Sequence, residues 1–242
     1  MLKIASNPSK YSTQEQVYTT LRKKEGRLYN DTEVKELPYV PKNHPLAAEW
    51  KVRKYTAQKL VKYLSAKQKT IRILEIGCGN GWLCHQLSFV PGSTITGLDV
   101  NMYEMEQADR VFQSVLNINF IYGDIFEDIL PEKTFDIIVF AASIQYFSGI
   151  NEILDRVMPL LSASGEIHII DSPFYNSDKE ASEAKERSAI YFDKQGAADM
   201  AQYYNHHLYS SLKKYKHTIT KFTLMEKLLK KSYFPWVIIS IE

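Results

Sequence analysis

The 242-residue chain predicts an α/β fold, a doubly wound and mainly parallel sheet with helices on both faces. Two observations predict it. Short β-type runs alternate with helical runs from "IRILEIG" to "GEIHIID", and the first of those runs leads directly into a glycine-rich turn, "GCGNG". The flanks break the pattern, which places an N-terminal arm at residues 1–44 and a helical, lid-like insertion at 172–215 within a main domain of residues 45–242.

The arm is polar and turn-rich and closes with "LPYVPKNHP", where three prolines and an asparagine disfavour any long regular element. From Pro45 to Ala66, Trp50, Ala57, Leu60, Val61 and Leu64 recur on one face of an amphipathic helix, with proline suited to its first turn. The alternation follows through "GWLCHQLSFV", "TITGLDV", "MYEMEQADRVFQSVL", "NFIYGD" and "FDIIVF", so the sheet has at least five strands. After Gly149, Ile150, Ile153, Leu154, Val157, Leu160 and Leu161 keep a helical period that Pro159 should kink or end. Residues 172–215 are too long for a plain connection, and their second half, "MAQYYNHHLYSSLKKY", reads as helical. The end, "TLMEKLLKKSYFPWVIISIE", reads as a helix and one final strand.

Composition narrows the function classes. Thirty basic against 28 acidic residues give a net charge of +2, unlike a protein that holds nucleic acid through phosphate contacts. No apolar run approaches the roughly 18 residues of a membrane span, and "MLKIASNPSK" lacks a secretory apolar region, so a cytoplasmic setting without membrane partners is expected. Cys78 and Cys84 fit neither a zinc ribbon nor a redox pair; they read as reduced thiols, and no metal site is expected. Oligomeric state is left open.

Gly77, Gly79 and Gly81 give GxGxG, whereas the dinucleotide fingerprint is GxGxxG. The glycines alone are weak. Three acids sharpen the signal: Glu75 before the turn, Asp99 at the end of the next strand and Asp124 at the end of the third. A lone aspartate after a strand usually caps a turn or helix, but three acids in order, one strand apart, line one edge of the sheet.

With these residues the sequence resembles the class I S-adenosylmethionine-dependent methyltransferases. "LEIGCGNG" is similar to that family's first motif and "GLDVN" to its second, while "GDIF", "FDIIVFAASIQYF" and the degenerate "LLSASGEIHIID" follow in the family's order over residues 70–172. The resemblance implies a Rossmann-like sheet and S-adenosyl-L-methionine as cofactor. It places the cofactor's amino acid part at Gly77, Cys78, Gly79, Asn80 and Gly81, its ribose at Asp99 beside Val100, and its adenine amine at Asp124 beside Ile125. Ala141 and Ser143, after the fourth strand, complete the expected lining. Glu75 would order amides and water around the methionine moiety, and would repel a pyrophosphate.

Methyl transfer from a sulfonium is an in-line displacement in which positioning carries much of the rate. For a general base, His206, His207 and Tyr146 are the candidates, although a histidine pair equally fits packing at a helix interface with one ring solvated. Tyr191, Tyr203, Tyr204 and Tyr209, with Tyr11 and Tyr18 of the arm, either line a lid over a small polar-aromatic acceptor or serve as ordinary helix residues. "AASIQYF" lacks the Asn/Asp-Pro-Pro-aromatic motif that similar enzymes use on adenine or glutamine amides, and "LRKKEGR" and "KKYK" read as solvated, so a small-molecule acceptor is preferred over nucleic acid. Two rivals stay open: a non-catalytic cofactor-binding or partner module of the same fold, and an NAD-type dehydrogenase. The terminal antiparallel hairpin common in such methyltransferases is either shortened to "WVIISIE" or uses "HTITKF".

Overall fold

Why the chain makes this sheet is visible in its central strands, which are apolar on both faces because helices cover both. In the computed structural model, which describes residues 2–220 and 234–241, the sheet strands are β1 (Lys3–Ile4), β2 (Ile71–Ile76), β3 (Ser93–Asp99), β4 (Ile118–Tyr122), β5 (Phe135–Ala141), β6 (Leu161–Ile170), β7 (His217–Thr220) and β8 (Trp236–Ser240). Their spatial order is β1-β4-β3-β2-β5-β6-β8-β7. β1 to β6 pair in parallel, and β8 lies antiparallel to both β6 and β7. The terminal hairpin is therefore present, and "HTIT" supplies its outer strand. The helix expected over "TLMEKLLKK" lies outside the described residues.

The α-helices are α1 (Ser12–Lys24), α2 (Asp31–Glu36), α3 (Ala47–Ser65), α4 (Trp82–Leu87), α5 (Met102–Phe112), α6 (Ile150–Val157) and α7 (Asp178–Lys194). Alternation along each strand divides the core. Ile73, Ile95, Ile137 and Val139 face Trp50 and Leu60 of α3, Leu83 of α4 and Met105 of α5. Leu74, Leu98, Ile138 and Phe140 face Ile153, Leu154 and Val157 of α6. Each fully buried aliphatic side chain there contributes on the order of 2 kcal/mol. Pro159 ends α6 as expected, inside a single 3₁₀ turn at Met158–Leu160.

Residues 1–44 are more regular than the prolines of their final stretch predict. β1 extends the sheet edge beside β4, and α1 runs for 13 residues. Asn30 and Glu33 cap α2 reciprocally. The helical reading of "MAQYYNHHLYSSLKKY" is corrected: the stretch forms two short 3₁₀ helices, Ala198–Tyr203 and Tyr209–Lys214, separated by extended backbone. Aromatic, partly buried residues in that stretch lose side-chain freedom in a helix, which leaves little to sustain an α-helix. These pieces meet the arm: Leu21 of α1 packs with Phe192, Ala197 and Met200 in a core of its own.

Candidate active site

Four strand ends at the carboxyl edge of the parallel strands, those of β2, β3, β4 and β5, carry the predicted cofactor residues. β2 ends in the glycine turn, and Gly77, Gly79 and Gly81 have φ of 75°, 52° and 76°, a region that disfavours other residues. Asp99 closes β3; one carboxylate oxygen accepts from Gly79 N–H at 2.8 Å and the other from Asn101 N–H at 2.9 Å. Burial pushes its carboxyl up, and those backbone N–H donors oppose the shift. Asp124 follows β4, with Phe126 N–H on one oxygen at 3.0 Å, while Tyr11 Oη donates to the other and Lys10 Nζ stands 3.5 Å from it.

A cleft of about 280 Å³ runs along this edge, and Gly77, Gly79, Asp99, Val100, Asp124, Ile125 and Ser143 all line it. Ser143 is fixed there by donating to Ile76 C=O at 2.6 Å. The roof is α1, which contributes Glu15 and Tyr18, preceded by Tyr11. Behind the glycine turn a smaller cavity of about 90 Å³ is lined by Glu75, Cys78, Asn80 and Ala141 together with Arg22, Arg53 and Glu104. Glu75 is buried, accepts from the Cys84 thiol at 3.0 Å, and has its carboxyl pushed up to about 8 by burial. Both cysteines are free thiols.

Gly81 is the exception in the predicted set. It lines none of these cavities; a Cβ there would approach the Phe120 ring to 2.7 Å, so its lack of a side chain serves helix–sheet packing. Tyr146 does face the site, lining the cleft and a neighbouring chamber, and its hydroxyl accepts from Arg22 at 2.8 Å.

That chamber, about 770 Å³, has Arg22, Arg27, Arg53, Asp171, Tyr191 and Tyr204 in its walls. Arg27 forks onto both oxygens of Glu49, at 2.5 and 2.6 Å; burial opposes ionisation, but Arg27 and Arg53 hold Glu49 at about 2. Asp171 accepts from Thr56 Oγ1 at 2.8 Å, and burial pushes its carboxyl up to about 6 against the field of Arg53. Ala142 lines all three cavities and donates its N–H to Ile170 C=O at 3.0 Å, next to Asp171. Ala142 and Asp171 both have φ of 53°, strained for non-glycine residues, at the two strand ends where the cavities meet.

The histidine pair is placed elsewhere. His206 Nε2 pairs with Ser188 Oγ at 3.0 Å, its ring stands beside Tyr175 and Tyr204, and His207 Nε2–H donates to Ile144 C=O at 3.0 Å. Burial lowers both, and neither lines any of these three cavities. Of the expected lid tyrosines, Tyr191 and Tyr204 reach the chamber, whereas Tyr11 and Tyr18 line the cleft. Sequence reasoning missed Glu104, Arg22, Arg53 and Asp171. For Glu104 a signal existed: it lies one turn before buried Ala108 on α5, so it is an acid on a buried helical face.

Residues 67–231 match the family described as "Methyltransferase domain". The chain belongs to that family. It is 33% identical over 124 residues, 47% of its length, to malonyl-[acyl-carrier protein] O-methyltransferase of Halalkalibacterium halodurans, of which the match spans 45%. A similar protein of Ilyobacter polytropus is 32% identical over 117 residues, 48% of this chain and 43% of that one. The chain thus matches less than half the length of these curated relatives. Among solved structures, the plantazolicin methyltransferase BpumL in complex with SAH superposes with a TM-score of 0.56 at 17% identity, covering 97% of this chain and 98% of that one. The CurJ carbon methyltransferase gives 0.62 at 14% identity, covering 96% and 68%. The fold is that of the class I methyltransferases.

Proposed function

We propose that the chain is an S-adenosylmethionine-dependent methyltransferase that methylates a small-molecule acceptor held in the large chamber. One observation carries this reading: the glycine turn, Asp99 and Asp124 line a single cleft that shares Ala142 and Tyr146 with a second chamber large enough for another reactant. Two pieces of geometry fit the cofactor. Both Asp99 oxygens keep lone pairs for a ribose diol, and Glu75 is a buried acid beside the turn where the amino acid end is expected.

The bound cofactor would supply a methyl group already activated by its sulfonium. The chain then has to position and desolvate. α1 roofs the cleft against water; Asp99 and Asp124 hold the nucleoside; Gly77 and Gly79 leave room over the turn. The acceptor would stand over Ala142, between Tyr146 and Asp171. Asp171, in place of the histidines, is the carboxylate in the chamber wall, held by Thr56 and next to the Ile170 carbonyl that Ala142 meets, that would take a proton from a hydroxyl or amine. The residues of 172–215 act as the lid, since Tyr191 and Tyr204 close the outer wall. The named activity of the relatives, on malonyl-[acyl-carrier protein], makes carboxylate-bearing acceptors the first to try against the chamber's arginines.

The test is binding. S-adenosylhomocysteine should raise the melting temperature where NADH does not, and Asp99→Ala should weaken its Kd by at least about tenfold, the scale of lost hydrogen bonds to a charged group. Unchanged affinity in Asp99→Ala sinks the site assignment; stabilisation by NADH alone favours the dehydrogenase.

A further inference from the structure

Helix α5 places in the cleft a carboxylate that no hydrogen bond reaches among the described residues. Glu104 is 9% exposed and lines both the main cleft and the cavity behind the glycine turn. Its backbone N–H is taken by the Asn101 side chain, whereas among the described residues no hydrogen bond reaches its carboxylate. The carboxylate lies against the turn: a Cβ added to Gly79 would stand 3.0 Å from Glu104 Oε2.

A buried acid is costly unless something pairs with it. The charged groups that face Glu104 are Asp99 at the end of β3, Glu15 and Arg22 on α1, and Arg53 on α3, with the Tyr18 and Tyr146 hydroxyls and the Cys78 thiol nearby. Glu75 lines the same rear cavity. Burial and Asp99 push the Glu104 carboxyl up to about 7, with Arg22 and Arg53 opposing. Asp99 already stands where a ribose would be met, and Asp124 where an adenine would. Glu104 sits between the nucleoside cleft and the cavity that fits the amino acid part, and among the described residues no hydrogen-bond donor meets its carboxylate.

Resting on the methyltransferase reading, we propose that Glu104 is a further cofactor-binding carboxylate, one that takes the α-ammonium at the methionyl end of the cofactor. A cationic ligand favours the ionised acid, so binding releases a proton whenever the empty site is protonated. Affinity therefore rises with pH from about 6 to 8, and Glu75 contributes a part of that slope which a Glu104 variant retains.

The experiment is calorimetric titration of the full chain with S-adenosylhomocysteine and with 5′-methylthioadenosine, which keeps the nucleoside but lacks the amino acid. Glu104→Gln should weaken S-adenosylhomocysteine about tenfold at pH 8, reduce its pH dependence to the part that Glu75 supplies, and leave 5′-methylthioadenosine within about twofold; the tenfold change is about 1.4 kcal/mol. Glu104→Met, which removes the buried polar atoms altogether, should give the same split and guards against a fault of folding in the first variant. Equal weakening of both nucleosides would assign Glu104 to the ribose and overturn the proposal, as would unchanged affinity for S-adenosylhomocysteine. A wild-type chain that binds neither nucleoside overturns the methyltransferase reading, and this proposal with it.

Discussion

At the scale of residues, the site is a concentration of buried acid. Glu75 illustrates the stability cost. Its folded value, about 8, lies above the ordinary value near 4.5, so the folded state binds its proton more tightly than the unfolded chain does. The stability it contributes is complete at low pH and is lost as pH climbs from about 4.5 to 8. Glu75→Gln should accordingly stabilise the ligand-free protein by on the order of 1–3 kcal/mol at pH 8 and by little at pH 5, read as melting temperature, while weakening S-adenosylhomocysteine. Equal melting temperatures in variant and wild type at pH 8 would contradict this. Glu75, Asp99 and Asp124 were legible in the sequence because successive parallel strands deliver their ends to one edge, so the order of motifs is also the order in space. Glu104 carried only the weak signal of its spacing to Ala108, which is masked because an acid in the first turn of a helix reads as an ordinary charge near the positive end of the helix dipole. Nor could "YYNHH" reveal that Ser188 and Ile144, remote along the chain, would occupy its rings.

At the scale of elements, the glycine turn separates into parts with different duties. Gly79 borders the cleft, whereas Gly81 lets α4 leave the turn beside Phe120 and Ala108. Gly81→Ala combines a φ of 76° with that collision and should cost about 2–3 kcal/mol in denaturant unfolding, while cofactor affinity in the folded fraction stays within about twofold. Gly79→Ala should do the reverse, sparing stability more than affinity. From sequence the two glycines looked alike, because the spacing records where glycine stands and not which atoms press on it. The amphipathic α3 was legible from its period, and Trp50, Ala57, Leu60 and Leu64 are buried as the pattern requires. α1 was not, since its single buried residue, Leu21, gives no repeating apolar face.

At the scale of the whole molecule, the arm and the 172–215 segment converge on the same edge from opposite ends of the chain and share the small core around Leu21 and Met200. That core is slight beside the two that flank the sheet, so the roof should open while the sheet stays closed. Hydrogen exchange should show amides of 12–24 exchanging well ahead of those in the central strands, and S-adenosylhomocysteine should slow them at least about fivefold without changing the strands. No protection of α1 on binding would mean that the roof does not close over the ligand.

Ala142, common to the walls of all three cavities, has a consequence for inhibition. If the proposed function holds, a compound that joins an adenosine to an acid-bearing aromatic group through a spacer slim enough to run beside that methyl group would occupy cleft and chamber together. Tethering turns the second contact into an intramolecular one, so the joined compound should bind about a hundredfold or more tighter than either half. Ala142→Leu, by narrowing the passage, should erase that gain while each half alone still binds.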